Sequence, residues 1–483
     1  MWFYFIEKIM ILLKLPLIKL PLSLLFCFGS FLILSGFTVI GHRGDPLQAP
    51  EETFESFNDA FADGAKYAEL DLRESKDGTL IISHDSNLER VSGQDISISK
   101  TDFNQLQQVK QSNGESIHSL AELFAYYQNQ PQTRFVLETK KSKKNKPTDM
   151  EAKVAELVQQ YHMENRVMVQ SFSAASVVSF SQLLPTVPRY LLANELSDIN
   201  FDTLQVVTGI DIDATLATPA FIQQMHALNK QVLVWSDIEE QASALANISL
   251  TDIDGIVTNY AQLASAYNQA KSTTTMSPLD ITSATVSATH AVASVTNPYL
   301  TLNAGQPLTA QRTYSLSTLV TNPQHSYAAL DQQRWADTDY LNFGSDALLA
   351  VPYLNGSASL RYGQTALPLV ASPSAPQQVV AHLIPGEAAT ITAVKLINGR
   401  PWLELNQHGW LPAEQTSITL ATGEAQIQYQ QLLSDAKLTN IKLPRLRDYL
   451  PLTQATLPLS TLQKYLLTPA PVYLQAQFQP QNN

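Results

Sequence analysis

From Phe37 to about Gln269 the chain alternates short apolar runs with amphipathic stretches. The runs are Phe37–Gly41, Tyr67–Leu72, Phe135–Glu138, Val167–Gln170, Tyr190–Leu192, Val206–Ile212, Val232–Trp235 and Gly255–Thr258. They read as buried parallel strands, covered on both faces. Leu80–Ser83, after the Asp77–Gly78 turn, adds a short extra strand. Between the runs the spacing predicts helices over Thr53–Asp63, Leu120–Gln128, Met150–Tyr161, Ala174–Leu184, Pro219–Leu228 and Ile238–Ala246. Eight strands alternating with helices fit a TIM (β/α)8 barrel over residues 37–269, an α/β fold. A doubly wound open sheet is the other arrangement of such units, but no glycine-rich dinucleotide turn follows the first strand.

The pattern changes at both ends. Residues 1–36 are strongly apolar, with Lys8, Lys14 and Lys19 ahead of the densest run, Leu20 to Gly36. That run is 17 residues long, close to the roughly 20 that span a bilayer. A small-x-small cleavage site is poor here and a cut near Gly36 would leave almost nothing before the first strand, so the segment fits an N-terminal membrane anchor helix better than a cleaved signal peptide. The lysines place the N-terminus in the cytoplasm and the barrel outside, in a single-pass protein of the cell membrane. Residues 270–312, rich in Ser, Thr and Ala, read as a linker or stalk. Beyond them the runs become short and β-like. Residues 366–418 resemble a bacterial SH3-like module, with the Asn398–Gly399 hairpin turn, Gly399-Arg400-Pro401-Trp402 and Gly409-Trp410. Residues 313–365 read as a weaker copy with Trp335 in place of Trp402, and residues 419–483 as an extension of unassigned fold.

Composition narrows the partners. The net charge is -12 with few clusters of Lys and Arg, which argues against a nucleic-acid partner, since such affinity rests on neutralising phosphates. The single cysteine, Cys27, excludes an internal disulfide and a cysteine zinc site.

The polar residues gather where barrel strands end, the place where such barrels carry their chemistry. His42 and Arg43 end the first strand. Glu69 and Asp71 end the second, and a spacing of two puts them on one face. His84 and Asp85 end the added strand, and Glu138 and Lys140 the third. Glu69, Asp71 and Glu138 supply hard oxygen ligands suited to Mg2+ or Ca2+. Arg43 and Lys140 suit the phosphate of a substrate, and His42 and His84 an acid–base pair. Glu51 is either a helix-end charge or a support for the site, and Trp235 either core packing or a wall of the pocket.

His42-Arg43-Gly44, Pro50-Glu51-Glu52-Thr53, Glu69-Leu70-Asp71, Asp77-Gly78 and His84-Asp85 together resemble the glycerophosphodiester phosphodiesterase family. Leu137-Glu138-Thr139-Lys140, Gln170-Ser171-Phe172, Val234-Trp235-Ser236 and Asp254-Gly255-Ile256-Val257-Thr258-Asn259 follow in the family's order. The resemblance implies a TIM barrel that hydrolyses glycerophosphodiesters to glycerol 3-phosphate and an alcohol, with metal on Glu69, Asp71 and Glu138. It also implies acid–base work by His42 and His84. One departure stands out: Glu52 occupies the place of the family's usual asparagine.

With an anchor immediately before strand one, the catalytic end should face away from the bilayer. Soluble glycerophosphodiesters or a glycerolphosphate wall polymer are then the expected substrates, with the SH3-like region holding the enzyme at the cell wall. The alternatives are a phospholipase D-like lyase forming a cyclic phosphate, and a non-catalytic cell-wall-binding protein.

Overall fold

A computed structural model describes residues 32–33, 36–141, 149–236, 242–279, 283–300, 304–322, 325–331 and 334–421. Most of the expected anchor, including Cys27, the loop lysines after Lys141 and residues 422–483 lie outside these. Leu32 and Ile33 form a two-residue strand paired with Met276 and Thr275. Among the described residues no helix is long and apolar enough to cross a membrane.

Nine strands make the first sheet: β1 (Thr38–Gly41), β2 (Tyr67–Glu74), β3 (Leu80–Ile82), β4 (Phe135–Thr139), β5 (Val167–Ser171), β6 (Arg189–Ala193), β7 (Gly209–Asp213), β8 (Gln231–Trp235) and β9 (Gly255–Thr258). All but β3 run parallel in sequence order, and pairing of β9 with β1 and of β1 with β2 closes the barrel. β3 lies antiparallel to β2, with Leu72 opposite Ile82. The expected TIM barrel is therefore present. One element differs: the run Val206–Ile212 is divided, its first residue ending a helix, Phe201–Val206, and strand β7 starting only at Gly209. Asn200 caps that helix by accepting from the Thr203 N–H, so the apolar run serves two elements.

Alternation along the strands sets the layers. Ala68, Leu70 and Leu72 of β2 and Phe135 and Leu137 of β4 face outward onto helices Phe54–Ala62, Leu120–Tyr127 and Met150–Gln160. Ile40, Tyr67, Val136, Met168, Tyr190, Leu233 and Val257 face inward and form the barrel's own apolar core. Two residues further along the same strands, the inward positions become His42, Glu69, Glu138, Gln170, Leu192, Trp235 and Asn259. The period of two thus converts an apolar floor into a largely polar ceiling at the C-terminal end.

After the last barrel helix, Ala261–Ser272, the described chain is mainly β, with one short α-helix, Ser345–Ala350. Residues 270–312 are not a free linker. Thr275–Pro278, Ser283–Val286 and Ser294–Val295 are strands, and Val286, Ala288, Val292 and Leu308 are buried. Ser and Thr alternate there with Ala and Val, and that period buries one face while the polar composition resembles a stalk. Nor do residues 313–365 form a separate copy of the later module. Thr318–Thr321, Ser326–Asp331 and Arg334–Asp337 join the sheet begun by Thr275–Pro278, whereas Ser357–Leu360 belongs to the seven-stranded sheet that ends at Thr419. Trp410 is buried in the core where these β units meet.

The first β unit packs on the barrel. Tyr299, Val320, Tyr327, Ala329 and Trp335 share a core with the barrel residues Leu245, Ile248 and Tyr267. Asn297, fully buried, donates to the Ala246 carbonyl at 2.6 Å and to Ser249 Oγ at 2.8 Å. Ala246 lies near the end of helix Ala242–Ile248 and Ser249 just after it, both ahead of β9, so the contact lies at the N-terminal end of the barrel.

Candidate active site

The polar ceiling surrounds a cavity of about 250 Å3. His42, Arg43, Glu69, His84, Glu138 and Lys140 line one part of it, and Phe172, Leu192, Trp235 and Val257 another. Phe172 meets Trp235 edge to face with centroids 5.9 Å apart, and the Lys140 ammonium lies 5.8 Å from the Phe172 centroid.

The loop after β1 is tightly built. Arg43, Gly44 and Glu52 all have positive φ, and a Cβ on Gly44 would lie 2.2 Å from Ser56 Oγ, so only glycine fits. The Glu52 N–H donates to the Arg43 carbonyl at 3.0 Å, closing the loop. This turn places the Arg43 N–H on Glu69 Oε2 at 3.0 Å, its Nε 3.4 Å from Asp71 Oδ2 and its Nη1 3.1 Å from Glu51 Oε1. Glu52 points inward, and its Oε1 accepts the Asp71 N–H at 3.0 Å.

Glu69, Asp71 and Glu138 each offer an oxygen, and these atoms lie within 4.8 Å of one another. All three side chains are buried. Lys140 Nζ lies 3.2 Å from Asp71 Oδ1 and 2.6 Å from Glu138 Oε1. Among the described residues neither Asp71 oxygen and not Glu138 Oε1 makes a well-angled hydrogen bond; Arg43 and Lys140 are their ion-pair partners. Burial pushes Glu138 up to about 7, with Lys140 opposing and Asp71 reinforcing the rise. Glu69 and Glu52 are pushed well above the usual carboxylate range by burial and then by Asp71. Against the cost of burial, Lys140 and then Arg43 hold Asp71 below that range. Five carboxylates, counting Glu51 and Glu52, thus crowd around Arg43 and Lys140. An all-oxygen, buried and negatively charged set of this kind fits Mg2+ or Ca2+.

The two histidines are oriented differently. His42 Nδ1 pairs with Asn259 Oδ1 at 2.9 Å, and His84 Nδ1 with Asp85 Oδ1 at 2.8 Å. In each ring the pairing engages Nδ1 and leaves Nε2 for proton transfer. Burial, with Arg43 beside it, pushes His42 down to about 4. Burial also lowers His84, but Asp71 and its partner Asp85 work in the opposite direction. His42 is the ring held neutral, and His84 the ring whose carboxylate partner supports the imidazolium.

Each residue singled out in the sequence therefore falls in or directly behind one cavity. Glu51 and Asp85 support it through Arg43 and His84. Trp235 forms part of its wall. The roles of Asn259 and Arg90 escaped the sequence reading. Asn259 stands in a motif that marked it, but its pairing with His42 spans 217 residues. Arg90 carries no local signal at all. Asp211 is a further surprise: it faces the barrel interior fully buried, neither carboxylate oxygen accepts a hydrogen bond among the described residues, and burial raises it well above the ordinary range.

The glycerophosphodiester phosphodiesterase of Bacillus altitudinis is 25% identical over 234 residues, which cover 46% of this chain and 94% of that protein. The enzyme of the same name from Bacillus subtilis is 30% identical over 209 residues, 38% of this chain and 70% of that one. Among solved structures, an Oleispira antarctica phosphodiesterase in complex with sn-glycerol-3-phosphate is 23% identical, covers 48% of this chain and 97% of its own, and superposes with a TM-score of 0.42. Residues 42–263 match the glycerophosphoryl diester phosphodiesterase family, and the chain belongs to it.

Proposed function

We propose that the protein hydrolyses glycerophosphodiesters to glycerol 3-phosphate and an alcohol, with a divalent cation, Mg2+ or Ca2+, on Glu69, Asp71 and Glu138. The observation that carries this is the convergence of three buried carboxylates, two oriented imidazoles and two cations on one cavity. The names of the relatives support the substrate class. Arg43 and Lys140 would bind the phosphate oxygens, Arg43 through its fork. One of the pair His42 and His84 takes the proton of the attacking water or glycerol hydroxyl as its oxygen bonds to phosphorus, and the other gives a proton to the departing alcohol as its P–O bond breaks; where the glycerol hydroxyl attacks, water then opens the cyclic phosphate to glycerol 3-phosphate. The cation, when bound, neutralises charge on the phosphodiester and orients the attacking group. Phe172 and Trp235 offer an apolar wall for the glycerol or alcohol moiety.

The same reading extends to location. An anchor in residues 1–36 would hold the barrel outside the cell with its cavity away from the bilayer, and the SH3-like region would engage the wall. Soluble diesters and glycerolphosphate polymer would then be the accessible substrates.

The test is release of glycerol 3-phosphate from glycerophosphocholine and glycerophosphoethanolamine by the full chain, with Mg2+ or Ca2+ and with EDTA, beside His42→Ala. Release that needs both the metal and His42 is expected. Equal release in EDTA would overturn the metal assignment, and no release with either cation would overturn the small-diester reading.

A further inference from the structure

Arg90 stands in a four-residue helix, Glu89–Ser92, with its side chain 44% exposed. It does not line the cavity. Yet its guanidinium makes three charge-assisted hydrogen bonds to two carboxylates. Nη1 and Nη2 donate to the two oxygens of Glu51 at 2.8 and 2.6 Å, and Nε donates to Asp85 Oδ2 at 2.6 Å. Glu51 is the carboxylate on Arg43, and Asp85 is the carboxylate on His84. One side chain therefore joins the support of the phosphate-binding arginine to the support of a catalytic imidazole, across 39 residues of sequence.

The geometry points to Arg90 as a positioning residue for the hydrolysis, fixing Asp85 against His84 and Glu51 against Arg43. This rests on the roles given above to His84 and Arg43. The physical reason lies in exposure. Asp85 and His84 are each about one-third exposed, at 30% and 33%. An isolated carboxylate in that setting rotates freely, and an isolated surface ion pair adds little. A planar fork that spans two acceptors removes that freedom, and a network of charges is worth more than its separate pairs. The His84 backbone is held from the other side, where Arg73 Nε donates to the His84 carbonyl at 2.7 Å. Backbone, ring and ring partner are thus each fixed by a separate group. Glu51 is held below the ordinary carboxylate range, against its burial, by Arg90 and Arg43 together. It stays charged between two guanidinia, so the Arg43 fork keeps its direction.

The experiment compares wild type, R90Q, R90K, D85N, E51Q and the doubles R90Q/D85N and R90Q/E51Q. Each full chain is assayed on glycerophosphocholine with saturating Mg2+. R90Q should lower kcat/KM by about 10–100-fold, the usual effect of losing a group that orients a catalytic one. Its melting temperature should be unchanged, since the side chain is nearly half exposed. R90K should recover only part of the loss, because an ammonium cannot fork across two carboxylates. Adding R90Q to D85N should lower kcat by less than about threefold further, and adding it to E51Q should raise KM by less than about threefold further, since paired residues are not additive. Wild-type kinetics in R90Q, or full additivity in both doubles, would overturn the inference. An inactive wild type would instead strike the functional reading, so the two failures are distinct.

Discussion

Glu52 Oε1 accepts the backbone N–H of Asp71 at 3.0 Å, while Glu52 Oε2 is buried with no hydrogen bond among the described residues. One oxygen braces the backbone of a candidate metal ligand, and the other is a buried polar atom without a partner among the described residues. Glu52→Gln keeps the acceptor and replaces the orphan oxygen with a donor. We expect the EDTA-treated variant to be more stable than wild type by about 1–3 kcal/mol, the scale of an unsatisfied buried group. Its affinity for Mg2+ or Ca2+, followed by calorimetry, should fall. Denaturant curves showing no gain would refute the first expectation, and unchanged metal affinity the second.

Lys140 is the counterpart, a buried cation between Asp71 and Glu138. Lys140→Met leaves both carboxylates facing one another, a change that typically costs about 3–5 kcal/mol. The loss should be largest in EDTA and should shrink with millimolar Mg2+ or Ca2+. Thermal melts in the two conditions read this out directly, and equal losses in both would argue against a cation on these carboxylates.

Asn259 orients His42 with a neutral amide. Asn259→Leu should lower kcat by about 10–100-fold, as loss of an orienting partner does. Asn259→Asp places a negative charge on the same ring nitrogen, which favours the imidazolium. From a starting value of about 4 for His42, the acidic limb of the kcat/KM profile should move to higher pH. A profile unchanged in the Asp variant would remove His42 from the titrating pair.

Trp335 sits in the core shared by the barrel and the first β unit. Truncation to Ala should destabilise the chain by about 3–5 kcal/mol. Because that core joins the two, the barrel transition should shift together with that of the β unit. Calorimetry that splits into an unshifted barrel transition and a lowered second one would show the two to be energetically independent.

His325 Nδ1 lies 3.2 Å from Asp337 Oδ2, and that carboxylate is the largest influence raising the imidazole above its ordinary value, with Asp339 adding to it. A raised folded-state value means that the stabilisation is complete below about 6.5, the unfolded value. It is lost as pH rises through the folded value. The stability difference between wild type and His325→Gln should therefore shrink as pH rises above about 6.5 in denaturant titrations, and a difference that grows would contradict the pairing.

Much of this site could be read from the chain because strand alternation is a strong constraint. Glu69 and Asp71, two apart in an otherwise apolar run, had to share a face, and Tyr67 two residues earlier fixed that face as the barrel interior. What sequence could not supply was pairing at a distance. His42 meets Asn259, and Glu51 meets Arg90, through closure of the barrel and folding of the loop after β3. Composition also misled where it outweighed period: the segment Ala284-Thr285-Val286-Ser287-Ala288 looks like a stalk by content but alternates like a strand, and Ala284, Val286 and Ala288 are buried. The Val206–Ile212 run failed for a related reason, since a continuous apolar stretch cannot announce that a helix ends and a strand begins inside it.

The docking of Asn297 and its neighbours at the N-terminal end of the barrel has a mechanical consequence. Entry to β1 and exit from the last barrel helix lie at that same end, where the Leu32–Ile33 pairing with Thr275 and Met276 clasps the incoming and outgoing chain together. Every covalent and packed attachment described for the barrel thus works from behind, like a handle set opposite a blade. Among the described residues, loads or movements transmitted through either flank would therefore reach the floor of inward-facing apolar side chains before the ring of loops that carries the candidate site.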